Sequence, residues 1–213
     1  MIASKIKELK GTLAKDVTLV AVSKTKPNSA LIEAYEAGQR DFGENKVQEL
    51  CKKAAELPKD FRWHMVGHLQ RNKVKYIAPF VHLIHGVDSQ RLLNEINKQA
   101  AKNNRIQDVL LQLHIAEESS KFGFSFEEAD AFLQQELPLE HVRIKGLMGM
   151  ASFTEDKRQI TQEFTQLATF FNKWKELKSF EVLSMGMSGD YPLAIEAGSN
   201  MIRVGSLIFG SRT

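Results

Sequence analysis

The chain has 213 residues, of which 43% are hydrophobic and 26% charged, with a formal net charge of +3. Such values suit a soluble globular chain. No Lys/Arg block is dense enough to indicate nucleic acid, and no apolar stretch is long enough to cross a bilayer. The single cysteine, Cys51, excludes an internal disulfide and a cysteine zinc site. A reducing, cytoplasmic setting is expected, and the first residues lack the apolar core of a signal peptide.

Residues 1–9 begin an amphipathic leading helix. Residues 17–23 form a β-branched apolar run that reads as a buried parallel strand, closed by Lys24 and Pro27. Asn28 is expected to cap a helix that runs to Ala37, with Gly38 as its stop. A short strand over 40–43 precedes a helical pattern from Glu44 to Glu56. A third strand over 63–66 leads to a helix near 72–77. A fourth strand, 81–87, is followed by a helix that Ser89 caps and that runs to Lys102. The fifth strand is placed at 109–115 and its helix at 126–135. The sixth strand, 142–147, precedes a long helix over 156–177, in which Phe164, Phe170, Phe171 and Trp174 mark a core-facing stripe. A seventh strand over 181–185 and a helix over 191–197, stopped by Gly198, lead to an eighth strand, 201–204, and a short tail.

Alternating strands and helices imply a parallel sheet covered by helices. Eight units after a leading helix favour a closed (β/α)8 TIM-type barrel, read as one domain over 1–213. The units are compact, because barrels of this class usually need about 250 residues.

A barrel collects its chemistry at the C-terminal strand ends. Those ends hold Lys24, Asn45, residues 64–68, Met148, residues 184–188, Arg203, Gly205 and Ser206. A lysine ending a buried strand is held near the free amine by desolvation, which suits a Schiff base with a carbonyl cofactor. The alternative is a lysine that snorkels to solvent. Ser184-Met-Gly-Met-Ser-Gly-Asp190 and Arg203-Val-Gly-Ser206 are short loops of small residues suited to a phosphate, or merely tight turns. A lysine and a phosphate cradle fit pyridoxal 5′-phosphate, whose aldehyde and phosphate lie on different sides of its ring. Arg203 would face the ring nitrogen or the phosphate, or form a structural ion pair. Beside the nitrogen, a permanent cation would keep it unprotonated and weaken the electron sink. Lys26 adds positive potential at Lys24 or is solvated, and Lys121 is a second amine on the site face or a surface lysine. His64 with His68, and His82 with His85, lack the ligand set of a metal site. His64 is read as a hydrogen-bonded barrel residue.

Ala21-Val-Ser-Lys-Thr-Lys-Pro27, Phe42-Gly-Glu-Asn45, Trp63-His-Met-Val-Gly-His-Leu-Gln70 with Asn72-Lys73, Ser119-Ser-Lys-Phe-Gly123, Gly146-Leu-Met148, Leu183-Ser-Met-Gly-Met-Ser188 and Ile202-Arg-Val-Gly-Ser206 with Phe209-Gly210 occur in this order. In this combination the chain resembles the YggS/PROSC family, the pyridoxal phosphate homeostasis proteins. The resemblance implies a single barrel like the N-terminal domain of alanine racemase, of PLP fold type III. It implies Lys24 as the covalent (aldimine) lysine and Asn45 in the cofactor pocket. It implies phosphate contacts from Ser184, Met187, Ser188, Gly205 and Ser206, and Arg203 at the ring nitrogen. Ser206 stands where many members have threonine and keeps the hydroxyl.

The expected function is a non-catalytic pyridoxal 5′-phosphate carrier in intracellular cofactor homeostasis, a monomer whose recipients would be PLP-dependent apo-enzymes. The alternative is a PLP-dependent amino-acid racemase. Racemization needs an acid/base on each face of the substrate. In the racemase relatives the second group is a tyrosine from a β-rich domain of the partner, and this chain ends just after its eighth strand. Tyr35 and Tyr76 read as helix residues, and only Tyr191 lies near the site face. A third reading is a barrel for another phosphorylated metabolite, with Lys24 as an ion-pair partner.

Overall fold

Eight strands pair in parallel in chain order: β1 (Thr18–Val22), β2 (Asp41–Glu44), β3 (Arg62–Met65), β4 (Leu83–Val87), β5 (Gln107–Gln112), β6 (Val142–Met148), β7 (Val182–Ser184) and β8 (Met201–Val204). Pairing of β8 with β1, Val20 opposite Arg203, closes the barrel. In this computed structural model, which describes residues 1–118, 122–136 and 138–210, the helices lie outside the strands. They are α1 (Ile2–Thr12), α2 (Asn28–Glu36), α3 (Val47–Glu56), α4 (Val74–Ile77), α5 (Gln90–Lys102), α6 (Phe126–Leu133), α7 (Lys157–Lys178), α8 (Tyr191–Glu196) and α9 (Ser206–Phe209).

Successive side chains on a strand point to opposite faces. In β1, Leu19 and Ala21 join the large core between strands and helices, while Val20 joins Leu83, Leu110, Met148 and Met201 inside the barrel. On α7 the stripe of Phe164, Phe170, Phe171 and Trp174 is buried, as its spacing predicts. Ser89 accepts the Leu92 N–H at the start of α5, and Ser125 and Glu128 form a reciprocal capping box on α6.

Several boundaries differ from the sequence reading. Asn28 is not a cap: it is the first residue of α2, and its amide donates to Glu56 (2.6 Å). Glu44 closes β2 instead of opening a helix, and Lys53 and Ser23 both donate to its buried Oε1. β5 begins earlier than its apolar run, since the Gln107 side chain is buried on backbone carbonyls and Gln112 donates to the Phe122 carbonyl. The expected tail contains α9. Gly146 lies at φ +152, beside a register shift between β5 and β6, and a Cβ there would run into the Val182 carbonyl. The close β6–β7 approach therefore needs glycine. Among the described residues no helix is long and apolar enough to cross a membrane.

Candidate functional site at the C-terminal mouth

β1 ends at Val22, and the next four residues form a tight turn. Ser23 N–H bonds the Gly43 carbonyl (2.9 Å), and Lys26 N–H bonds the Ser23 carbonyl (3.0 Å). Thr25 sits at φ +66, a left-handed conformation unfavourable for a β-branched residue. Its N–H is held by Glu49 Oε1 (2.7 Å). Behind it, Lys53 Nζ donates to Glu49 (2.8 Å), Glu44 (2.7 Å) and the Ser23 carbonyl (2.8 Å). The Ser23 hydroxyl also donates to Glu44 (2.6 Å). Burial pushes the Glu44 carboxyl up, against the Lys53 and Ser23 hydrogen bonds. This buried group fixes the turn that carries Lys24.

Lys24 is half-buried and lines a cleft of about 510 Å³ at the barrel mouth. The cleft brings together Lys24, Lys26, Asn45, Met187, Ser188, Arg203, Gly205 and Ser206. Met187 lines it with its N–H held by Asp190 Oδ1 (2.6 Å). Ser188 Oγ accepts the Gly205 N–H (3.2 Å), tying the two predicted phosphate loops together. At Gly205 a Cβ would stand 3.0 Å from the Val22 carbonyl, so glycine lets β8 approach the Lys24 strand. Among the described residues, the lining has Lys24, Lys26 and Arg203 as cations and no Asp or Glu. Such a cleft suits an anionic ligand.

Ser184 is placed differently from its expected phosphate role. It is fully buried beneath the cleft and does not line it. Its hydroxyl accepts from Arg203 Nη1 (2.6 Å), and Arg203 Nη2 donates to the Gly149 carbonyl (3.0 Å). Burial pulls the Arg203 guanidinium down to about 10, with Asp190 acting in the other direction. It therefore stays protonated at neutral pH. Below Ser184 a polar series runs through the barrel interior. Ser184 Oγ meets His85 Nδ1 (3.1 Å), His85 Nε2 meets His64 Nδ1 (2.9 Å), and His64 Nε2 meets Asp41 Oδ1 (3.0 Å). Arg62 closes the series on Asp41 through Nε (2.7 Å) and Nη2 (2.5 Å). Desolvation, with His64, Arg203 and His82 nearby, holds the His85 imidazole well below its ordinary value. Burial would raise the Asp41 carboxyl, but the hydrogen bonds from Arg62 and His64 hold it well below the usual range. Asp41, His64 and His82 bring potential ligand atoms within 4.8 Å of one another. Arg62 and His85 already engage Asp41 and His64 there.

Other lining residues lay outside the sequence reading. Gln112 ends β5, whereas the apolar run placed that strand end at Ile115. Met150 lines the cleft, while Met148, expected there, is buried inside the barrel. At the rim His68 pairs with Asp88 (3.0 Å) and stacks on Phe122 with centroids 4.0 Å apart. Lys121 lies outside the described residues.

The profile of the family described as "Alanine racemase, N-terminal domain" matches residues 1–213. A protein of Aquifex aeolicus named pyridoxal phosphate homeostasis protein is 38% identical over 197 residues, covering 91% of this chain and 86% of its own. The structure of PipY from Synechococcus elongatus, solved with PLP bound, is 38% identical and superposes with a TM-score of 0.91, covering 99% of this chain and 100% of that one. An alanine racemase from Bartonella henselae shares the fold at 16% identity with a TM-score of 0.77. There the match covers 99% of this chain and 58% of the racemase.

Proposed function

The chain belongs to the alanine racemase N-terminal domain family and, within it, to the pyridoxal phosphate homeostasis proteins; from that premise we propose that it binds pyridoxal 5′-phosphate in the mouth cleft and serves the homeostasis of that cofactor. The observation that carries the reading is the lining itself, where a primary amine, a buried guanidinium and two tied Ser/Gly loops share one cleft with no Asp or Glu among the described residues. Bound there, the cofactor supplies an aldehyde that a primary amine captures reversibly.

Lys24 is the covalent anchor, presented by a turn that its buried neighbours hold rigid. Ser188 and Ser206 receive the phosphate through their hydroxyls, and Gly205 and Met187 complete that wall. Arg203 faces the ring nitrogen as a fixed donor and cation, and Asn45 lines the ring's side. Ser184 acts one layer down, by holding Arg203. Lys26 adds positive potential at the rim.

The site supports holding the cofactor over turning over an amino acid. Neither Tyr35, Tyr76 nor Tyr191 lines the cleft among the described residues, whereas two-face proton transfer needs a second acid/base group beside the lysine. His68, the imidazole at the rim, is paired with Asp88 and stacked on Phe122. The closed barrel leaves no sheet edge to be completed by a partner, which supports a monomer that exchanges cofactor with recipient apo-enzymes through its mouth.

Visible absorption, followed by borohydride reduction and peptide mapping, tests this. The cofactor should map to Lys24, and Lys24→Ala should lose the visible band. A protein that takes up no added pyridoxal phosphate, or one labelled elsewhere at full occupancy, would overturn the assignment. Racemization of any common amino acid at about 1 s⁻¹ or faster, the low end of ordinary enzymes, would overturn the non-catalytic reading.

A further inference from the structure

Asp41, His64, His85, Ser184 and Arg203 form one hydrogen-bonded series that crosses the barrel from the strand starts to the cleft. All five residues are buried, and of them only Arg203 lines the cleft. With both rings neutral, every hydrogen bond in the series has a single direction. Arginine has donors only, so Nη1 donates to Ser184 Oγ (2.6 Å). Ser184 Oγ also faces His85 Nδ1 (3.1 Å), and a His85 that carries no proton there takes the one hydroxyl hydrogen. His85 Nδ1 accepts, so its proton is on Nε2 and is donated to His64 Nδ1 (2.9 Å). His64 likewise carries its proton on Nε2 and donates it to Asp41 (3.0 Å). Starting from the ionised Asp41, which only accepts, gives the same assignment. In this assignment both rings are Nε2–H tautomers and each group donates toward Asp41.

This arrangement resolves a conflict at the site. A buried guanidinium needs an anion to offset its desolvation. A carboxylate set directly on Arg203 would put negative charge at the edge of a cleft that takes an anionic ligand. Among the described residues no carboxylate is hydrogen-bonded to Arg203. Asp190 acts on Arg203 without a hydrogen bond to it, and Asp41, itself paired with Arg62, lies at the far end of the series, where polarisation along linked hydrogen bonds strengthens each donor in turn.

We propose that Asp41, His64 and His85 are positioning residues for Arg203. Through the Ser184 hydroxyl they fix the orientation of the guanidinium and couple it to a carboxylate kept out of the cleft. The proposal deepens the reading above and rests on it, since the readouts concern the cofactor that Arg203 faces. The charged or titratable groups around His85 are His64, His82 and Arg203. A proton added to His85 would therefore face only groups that are cationic or become so.

Two measurements test the proposal. Long-range ¹H–¹⁵N NMR on the unliganded wild-type protein at pH 7 should show both His64 and His85 as neutral Nε2–H rings. An Nδ1–H ring or an imidazolium at either position overturns it. Pyridoxal phosphate is then titrated into wild type, Asp41→Asn and the control Asp108→Asn, which removes another carboxylate, one paired with Arg143. Asp41→Asn should weaken binding roughly tenfold, the size of one impaired charge-assisted hydrogen bond. It should also displace the visible band and its pH profile, while the control leaves all three unchanged. Ser184→Ala, a nearly isosteric change, should act in the same direction and replaces Asp41→Asn if that variant does not fold. Wild-type uptake together with an Asp41→Asn or Ser184→Ala protein of unchanged affinity and spectrum overturns the proposal alone. A wild-type protein that takes up no pyridoxal phosphate overturns the cofactor reading, and the proposal with it.

Discussion

Lys24 depends on residues that never meet the ligand. Its turn includes a left-handed threonine, and the hydrogen bonds that hold it converge on Lys53, Glu44 and Glu49. The sequence marked Lys24 through its strand and motif, but nothing in the spacing pointed to Lys53. A lysine on an amphipathic helix ordinarily reads as solvated, yet this side chain is 6% exposed and that of Glu44 is fully buried. Lys53→Met would strand the Glu44 carboxylate, a loss of roughly 3–5 kcal/mol for breaking a buried pair from one side. Urea denaturation should show this, and adding Glu44→Gln should recover part of it. A double variant no more stable than Lys53→Met would show that the ion pair is not the source of the loss. The burial of Ser184 beneath the cleft is hidden from the sequence for a similar reason. Its motif borders the cleft, but the pleat turns its side chain into the barrel, where Arg203 and His85 use it.

At the scale of elements, β8 was read with its observed limits because glycines stand on both sides and its residues are apolar or paired inside the barrel. β5 was displaced because strand length was judged from hydrophobicity alone. A glutamine whose amide satisfies backbone carbonyls is as much a strand residue as a valine, and only the folded geometry shows that it does so. α9 was missed because four residues are too few for a helical period to register. Gly146 makes the element scale testable. Its φ of +152 and the Val182 carbonyl beside it leave no room for a methyl group. Gly146→Ala should cost roughly 3 kcal/mol or more, in the range of severe backbone and packing conflicts, read from the thermal midpoint. A variant within about 0.5 kcal/mol of wild type, the range of neutral surface changes, would mean that β6 and β7 slide apart without penalty.

For the whole molecule the interior imidazoles give stability a pH dependence of definite sign. The His85 pKa is depressed in the folded chain, so this contribution is fully present above the unfolded value near 6.5 and is lost as pH falls below it. His82 shifts in the same direction but is exposed and counts for less. Glu44, with a raised pKa, acts oppositely and offsets part of the loss toward its own range. Asp41 is lowered, so its contribution is present above its unfolded value of 3.8 and is lost only in stronger acid. Thermal midpoints should therefore fall between pH 7 and pH 5, with a limiting slope of about 1.4 kcal/mol per pH unit for each proton taken up on unfolding. Midpoints that stay level or rise over that interval would contradict the neutral assignment of His85. The hydrogen bond from Ser184 to His85 also spans strands that are not neighbours, β7 and β4, and so acts as a strut across the bore. With Val20, Leu110 and Met148 packed inside the same bore, the barrel is a blind well. Whatever settles in the cleft must leave by the rim it crossed on arrival. A body seated over that rim would govern capture and release together.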